Sequence, residues 1–306
     1  MEQSAAISVS IDEISKAYND NHALDDISLS ITKCELFGFI GPDGAGKTTL
    51  IRILATLLMP DTGKAIVEGY DTVKDYRKIR QIVGYMPGRF SLYQDLSVEE
   101  NLNFFASIFK TSIKENYHLI SDIYRQIEPF KTRPAGKLSG GMKQKLALCC
   151  ALIHKPVILF LDEPTTGVDA VSRTEFWDML DKLKEENITI LVSTPYMDEA
   201  SRCDRVALMQ EGKILSVDTP EGIVKAYENT LLAVKSENMY QLLFDVLEYP
   251  GNIRAYRSGE YIHTAVKKGT RKEESLRDFL AEKGHEQLVV NAITPSVEDS
   301  FMGLMK

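Results

Sequence analysis

The run Gly41-Pro42-Asp43-Gly44-Ala45-Gly46-Lys47-Thr48-Thr49 constrains this chain more than any other segment, because its spacing builds a phosphate cradle. It fits G-x-x-x-x-G-K-[ST]. The preceding residues, Phe37 to Ile40, form a short apolar run that reads as a buried strand. After the loop, Leu50, Ile51, Ile53, Leu54, Leu57 and Leu58 recur at helical spacing until Pro60. Strand, Gly-rich loop and helix in that order are the context the motif needs. Glycines let successive backbone N–H groups turn inward at phosphate oxygens, and the helix N-terminus adds partial positive charge. Lys47 is placed to reach the β- and γ-phosphates, and the Thr48 hydroxyl to ligate Mg²⁺.

Length and charge exclude several alternatives. The chain has 306 residues, enough for two domains and a core that needs no disulfide staples. Its cysteines (Cys34, Cys149, Cys150, Cys203) show no C-x-x-C spacing and no histidine cluster, so buried reduced thiols are expected rather than a zinc site. The N-terminus lacks the basic-then-apolar layout of a signal peptide. No stretch approaches ~18 uninterrupted apolar residues, so no membrane span is expected. A net charge of −8 argues against nucleic-acid binding as the main task.

Along the chain, Ile7–Ile11 and Ile27–Ile31 alternate apolar and polar positions, as half-buried antiparallel strands do. From about 98 to 153 the pattern is mostly helical, with Ser97 a fitting N-cap. Ala170 to Glu186 reads as an amphipathic helix whose inner face holds Phe176, Met179, Leu180 and Leu183. Trp177, on that helix, reads as packing. Residues from about 231 to the end repeat strand and helix signals in the order β-α-β-β-α-β, the split βαβ arrangement, and Thr294-Pro295 opens a last helix.

Two further motifs carry chemistry. Val157 to Leu161 is an apolar strand that ends in Asp162 and Glu163. Beside the phosphate loop, Asp162 would face the Mg²⁺ shell and Glu163 could polarise an attacking water. The bland alternative is an acidic strand end that merely caps the next helix. Leu138-Ser139-Gly140-Gly141-Met142 precedes a run of helix formers, so Ser139 is an N-cap and the glycines leave N–H groups open to an anion.

Phosphate loop, L-S-G-G-M and the D-E strand, in that order, resemble the ATP-binding subunit of an ABC transporter over residues about 7 to 228. The resemblance implies an α/β P-loop nucleotide-binding domain, with a mixed sheet core and a helical subdomain at about 95–153. On this division, 1–228 is the nucleotide-binding domain and 229–306 a small C-terminal α+β domain. It further implies that two such domains dimerise head to tail with ATP between them. Tyr18 would stack on adenine. Gly41, Pro42, Asp43, Gly44, Ala45, Gly46, Lys47, Thr48 and Thr49 would hold the phosphates. Ser139, Gly140 and Gly141 would reach the γ-phosphate held by the other subunit. Thr48 and Asp162 would serve Mg²⁺, Glu163 would be the general base, and Gly167-Val168-Asp169 would signal across the dimer.

The segments Gly84 to Asn101 and Thr294 to Phe301 also resemble drug-exporter ATPases of the daunorubicin-resistance type. Those serve ABC-2 type permeases. That resemblance implies a separate membrane permease as partner, a cytoplasmic chain held at the inner face of the membrane, and export of drugs or hydrophobic compounds. The apolar stretch Leu102 to Phe109 is a candidate permease-docking surface, with packing inside the helical subdomain as the alternative.

Two positions depart from the family. Where it usually has a glutamine, this chain has Gly88; where it usually has a histidine, Pro195. Each lost transition-state contact could cost roughly 2.7–4 kcal/mol, by analogy with oxyanion donors. One expectation is therefore a slow site that binds ATP, in a subunit that lends its intact signature to a second ABC ATPase. The other is a homodimer in which Arg89, Gln94 or Tyr196 replaces the missing groups.

Overall fold

A computed structural model describes residues 6–267, 269 and 272–305. They form two compact units, Met1–Pro220 and Glu221–Lys306. In chain order the first unit holds β1 Ile7–Tyr18, β2 Asn21–Thr32, β3 Leu36–Ile40, α1 Lys47–Leu54, β4 Thr62–Val67, β5 Tyr70–Asp71, α2 Tyr76–Ile82 and β6 Val83–Met86. It continues with α3 Val98–Ile108, α4 Tyr117–Ile127, α5 Gly140–Leu152, β7 Ile158–Asp162, α6 Ala170–Glu185, β8 Thr189–Thr194, β9 Arg205–Gln210 and β10 Lys213–Asp218.

A six-stranded sheet in the order β10-β9-β3-β8-β7-β6 forms the centre. Its strands from β9 to β6 pair in parallel, and β10 closes the edge antiparallel to β9. Parallel strands covered on both faces read as continuous apolar runs, and β3 and β7 are buried at every position. A four-stranded antiparallel sheet, β2-β1-β4-β5, contributes Val9, Ile11, Leu24, Ile27 and Ile31 to the same core. That core also takes Phe37 and Phe39 from β3, and Leu50, Ile51, Ile53 and Leu54 from α1. The helix after the phosphate loop is thus anchored along its apolar side.

β1 and β2 are longer than their alternation suggests, because the register slips between Ile11 and Ile14. Glu13 and Asp26 take positive φ (50° and 55°) near that irregularity, so the period of two is lost although pairing continues. In the helical segment, Ser97 caps α3 in a capping box with Glu100. Asn101, fully buried, ties the Tyr93–Ser97 backbone to α3 through its side-chain amide and carbonyl.

The second unit begins within α7 (Pro220–Lys225) and contains β11 Thr230–Lys235, α8 Met239–Glu248, β12 Asn252–Ser258, β13 Tyr261–Val266, α9 Lys272–Glu282, β14 Val289–Ile293 and α10 Val297–Leu304. Its antiparallel sheet runs β12-β13-β11-β14, the strand order of a split βαβ fold. Leu242 and Val246 of α8 and Leu276 and Leu280 of α9 pack on Leu232, Val234, Ile262 and Val290. The last helix starts later than Thr294-Pro295 suggests: Ser296 is its N-cap, in a capping box with Asp299.

Candidate nucleotide site

β3 delivers the chain to the loop at Gly41, and α1 begins at Lys47 with Gly46 at its N-cap in the left-handed region (φ 97°). A Cβ on Gly46 would lie 2.3 Å from the Ala23 carbonyl oxygen, so only glycine fits both that backbone and that neighbour. Lys47 is 3% exposed, and its Nζ donates to the carbonyls of Gly41 (2.8 Å) and Pro42 (2.9 Å). Glu163 Oε1 stands 3.5 Å from the same ammonium. Burial pushes the Lys47 pKa down, while Glu163, Asp43 and Asp162 work against that shift.

The acidic end of β7 meets the start of α1. Thr48 Oγ1 donates to Asp162 Oδ1 at 2.8 Å, and Ser193 Oγ donates to the same oxygen at 2.9 Å. Glu163 follows with φ of 49°, its amide donating to both the carbonyl and the hydroxyl of Ser193, each at 3.0 Å. This backbone turn explains how two consecutive carboxylates face different partners: Asp162 is buried beside Thr48, and Glu163 lines the cleft. The cleft has a volume of about 240 Å³ and is lined by Tyr18, Asn21, Ala23, the segment from Gly44 to Thr49, and Glu163.

Among the described residues, no group of three or more His, Cys, Asp or Glu could hold a metal on its own. One hydroxyl and one carboxylate, Thr48 and Asp162, make a partial oxygen set. That suits Mg²⁺, which keeps waters and takes its remaining ligands from substrate phosphates.

Gly41, Pro42 and Asp43 stand outside the cleft lining, the first two turning their carbonyls to Lys47. Ser139, Gly140 and Gly141 also lie outside it. Ser139 caps α5 by accepting from the Met142 amide at 3.4 Å. The two glycines pack beside the next loop, where a Cβ on Gly140 would be 3.5 Å from the Gly167 carbonyl and one on Gly141 2.7 Å from Ser172 Oγ. Trp177 is buried on α6, as packing requires. Gly88 is held close to the acidic strand end: a Cβ there would be 2.9 Å from the Asp162 carbonyl oxygen and 3.6 Å from Glu163 Cβ. Next to Pro195, the Tyr196 ring lies under the Arg173 guanidinium (4.1 Å), which also pairs with Glu199 and Asp198.

A second concavity, about 470 Å³, opens between α3, α5 and the end of β6. Tyr85, Met86, Pro87, Leu92, Phe105 and Phe109 give it an apolar, aromatic wall. His154 joins them, stacked on Phe109 at 3.7 Å and bonded through Nε2 to the Val83 carbonyl. Burial holds the His154 pKa below its ordinary value.

Sequence reasoning missed Asn21, Ala23 and Ser193. The first two arrive through the β1–β2 hairpin, whose Tyr18 end sits over the loop. Ser193 arrives at the end of β8, next to β7 in the sheet. None belongs to a spaced motif, and only knowledge of strand order would have pointed to Ser193.

Comparison with known proteins agrees with this geometry. The sequence pattern of the ABC transporter family matches residues 24–166. The chain is similar to the probable multidrug ABC transporter ATP-binding protein YbhF of Escherichia coli (strain K12), 39% identical over 291 residues. That match takes in 94% of this chain and 50% of the relative, so the chain spans about half the length of that relative. It is 33% identical over 220 residues to the daunorubicin resistance ATP-binding protein DrrA3 of Streptomyces coeruleorubidus, covering 71% of this chain and 70% of that one. Among solved structures, the dimeric bacterial ABC transporter cassette MJ0796 superposes with a TM-score of 0.62 at 25% identity, over 69% of this chain and 98% of the cassette.

Proposed function

This chain belongs to the ABC transporter family of ATP-binding proteins, and from that premise we propose that it hydrolyses ATP to energise a separate ABC-2 type permease. The cargo class we propose is drugs or other hydrophobic compounds, in keeping with the names of its relatives. The observation that carries the reading is the meeting of Lys47, Thr48 and Glu163 at one cleft with Tyr18, and of Thr48 with the buried Asp162 behind it.

In this account the phosphate loop turns its amides to the phosphates while Tyr18 stacks on the base. Lys47 exchanges its contacts with Gly41 and Pro42 for phosphate oxygens, which relieves a buried cation. Thr48 and Asp162 would hold Mg²⁺, which would supply charge neutralisation at the reacting phosphate. Glu163 takes the proton from the attacking water. Ser139, Gly140 and Gly141, set at a helix N-terminus away from this cleft, suit the nucleotide of a second ATPase subunit. The apolar concavity between α3 and α5 suits an apolar segment of the permease, which would seat the chain at the cytoplasmic face of the membrane.

A second reading starts from the residue types at Gly88 and Pro195. Neither brings a polar side chain to Glu163, and the side chains that reach its carboxylate are Lys47 and, at 3.5 Å, Thr166. On that reading the chain turns over slowly and acts chiefly through its signature in a heterodimer. Mixing with an ABC ATPase that carries both the glutamine and the histidine would then raise turnover well above the sum of the two alone. Restoring the glutamine at position 88 is a poor test, because its Cβ meets the Asp162 backbone.

Titration with a fluorescent ATP analogue tests the site itself. Lys47→Ala is expected to weaken binding by roughly 10- to 100-fold, the range for losing charged hydrogen bonds worth about 1.5–3 kcal/mol. Equal affinity in the variant and the unmodified chain would place the nucleotide elsewhere.

A further inference from the structure

Ser193 stands behind this cleft, outside its lining, and its part is not yet accounted for. Its side chain is fully buried at the end of β8. Its hydroxyl donates to Asp162 Oδ1 (2.9 Å) and accepts from the Glu163 amide (3.0 Å), so one atom touches both members of the acidic pair. Thr48 gives Asp162 Oδ1 its other donor. The described residues therefore place two hydroxyl donors on Oδ1 and none on Oδ2.

We propose that Ser193 is a positioning residue that fixes the Asp162 carboxylate for Mg²⁺ and, through the Glu163 amide, sets where the base points. The proposal rests on reading the cleft as the MgATP site. With both donors on Oδ1, the carboxylate cannot rotate freely, and Oδ2 is the oxygen left without a hydroxyl donor among the described residues. On that reading Thr48 would also serve the metal, which leaves Ser193 as the donor whose hydroxyl is taken up by the acidic pair alone. In a chain with Gly88 packed against this pair and Pro195 two residues after Ser193, a hydroxyl on β8 carries orientation that two absent side chains do not supply.

The hydroxyl is dispensable for the fold. Without it, the Glu163 amide keeps the Ser193 carbonyl, and Asp162 Oδ1 keeps Thr48. Ser193→Ala therefore orphans no buried group, and its effect falls on orientation rather than on stability.

The test is to titrate Mg²⁺ into each protein with a fluorescent ATP analogue present, taking metal-free affinity in EDTA as baseline. Ser193→Ala should leave metal-free affinity within about twofold while raising half-saturating Mg²⁺ by roughly 10-fold or more, the usual effect of losing a partner that orients a metal ligand. Ser193→Thr, which restores the hydroxyl, should return the Mg²⁺ requirement to within about threefold of the unmodified chain. An unchanged Mg²⁺ requirement in Ser193→Ala overturns the proposal. So does a parallel loss of metal-free and metal-dependent affinity with a lowered Tm, which marks Ser193 as packing only. If the unmodified chain binds no nucleotide, the parent reading falls and takes this inference with it.

Discussion

Gly46 joins two demands that no other residue type meets together: a φ of 97° at the N-cap of α1 and a neighbouring carbonyl 2.3 Å from where a Cβ would sit. Gly46→Ala should therefore displace the loop or the β2 backbone at Ala23. We expect a loss of about 2 kcal/mol or more, from strain plus overlap, and a drop in ATP-analogue affinity. Thermal denaturation beside nucleotide titration checks both. Residues of this kind are legible in sequence because the spacing of the motif itself encodes the backbone path. Lys47, Thr48, Asp162 and Glu163 could be placed for the same reason, each standing at a strand end or helix start that the apolar runs mark. Asn21, Ala23 and Ser193 could not, since they enter from strands remote in sequence and carry no spacing signal. The consequence of Gly88 was only half legible: the missing side chain could be read, but not the Asp162 carbonyl packed against the position.

At the scale of elements, α10 is held by a buried carboxylate rather than by apolar contact alone. Asp299 Oδ1 accepts from Tyr256 Oη (2.6 Å) and His263 Nδ1 (2.7 Å), and Oδ2 accepts from the amide and hydroxyl of Ser296 (2.7 and 2.6 Å). Arg254 closes the other end by donating to the carbonyls of Met302 and Met305. Burial alone would raise the Asp299 pKa, but the hydrogen bonds from Ser296, Tyr256 and His263 outweigh it and hold the carboxyl below its ordinary value of 3.8. A carboxyl depressed in the folded state stabilises above its unfolded pKa and loses that contribution as pH falls through the folded one. The latch should thus be intact at neutral pH and fail only in acid below about pH 3.8. Asp299→Ala should cost about 3 kcal/mol or more at neutral pH by stripping a buried network of its acceptor. Circular dichroism melts at pH 7 and pH 3 follow both effects. The sequence signals this helix and Thr294-Pro295 reads as its start, although the Ser296-x-x-Asp299 spacing of a capping box stands in the sequence. What the sequence does not show is that Tyr256 and His263, remote along the chain, bind the same carboxylate.

Over the whole molecule, the division of apolar residues matters more than motifs. One core gathers residues from β1 to β9, and a second gathers residues from β11 to β14 with α8 and α9. Composition gave no boundary, and helix and strand signals alone put one near 228, whereas the compact units part between Pro220 and Glu221. Cores that share no residues predict two calorimetric transitions, with ATP and Mg²⁺ raising only the one that belongs to the cleft. A single transition that shifts as one with nucleotide would mean that the units unfold together. The central claim, that Glu163 activates water at a MgATP cleft, is tested most directly by steady-state ATP turnover of the purified chain against Glu163→Gln. The account predicts turnover of about 1 s⁻¹ or above, falling roughly 10²- to 10⁴-fold in the variant with nucleotide binding retained. Equal turnover in the two proteins would contradict it.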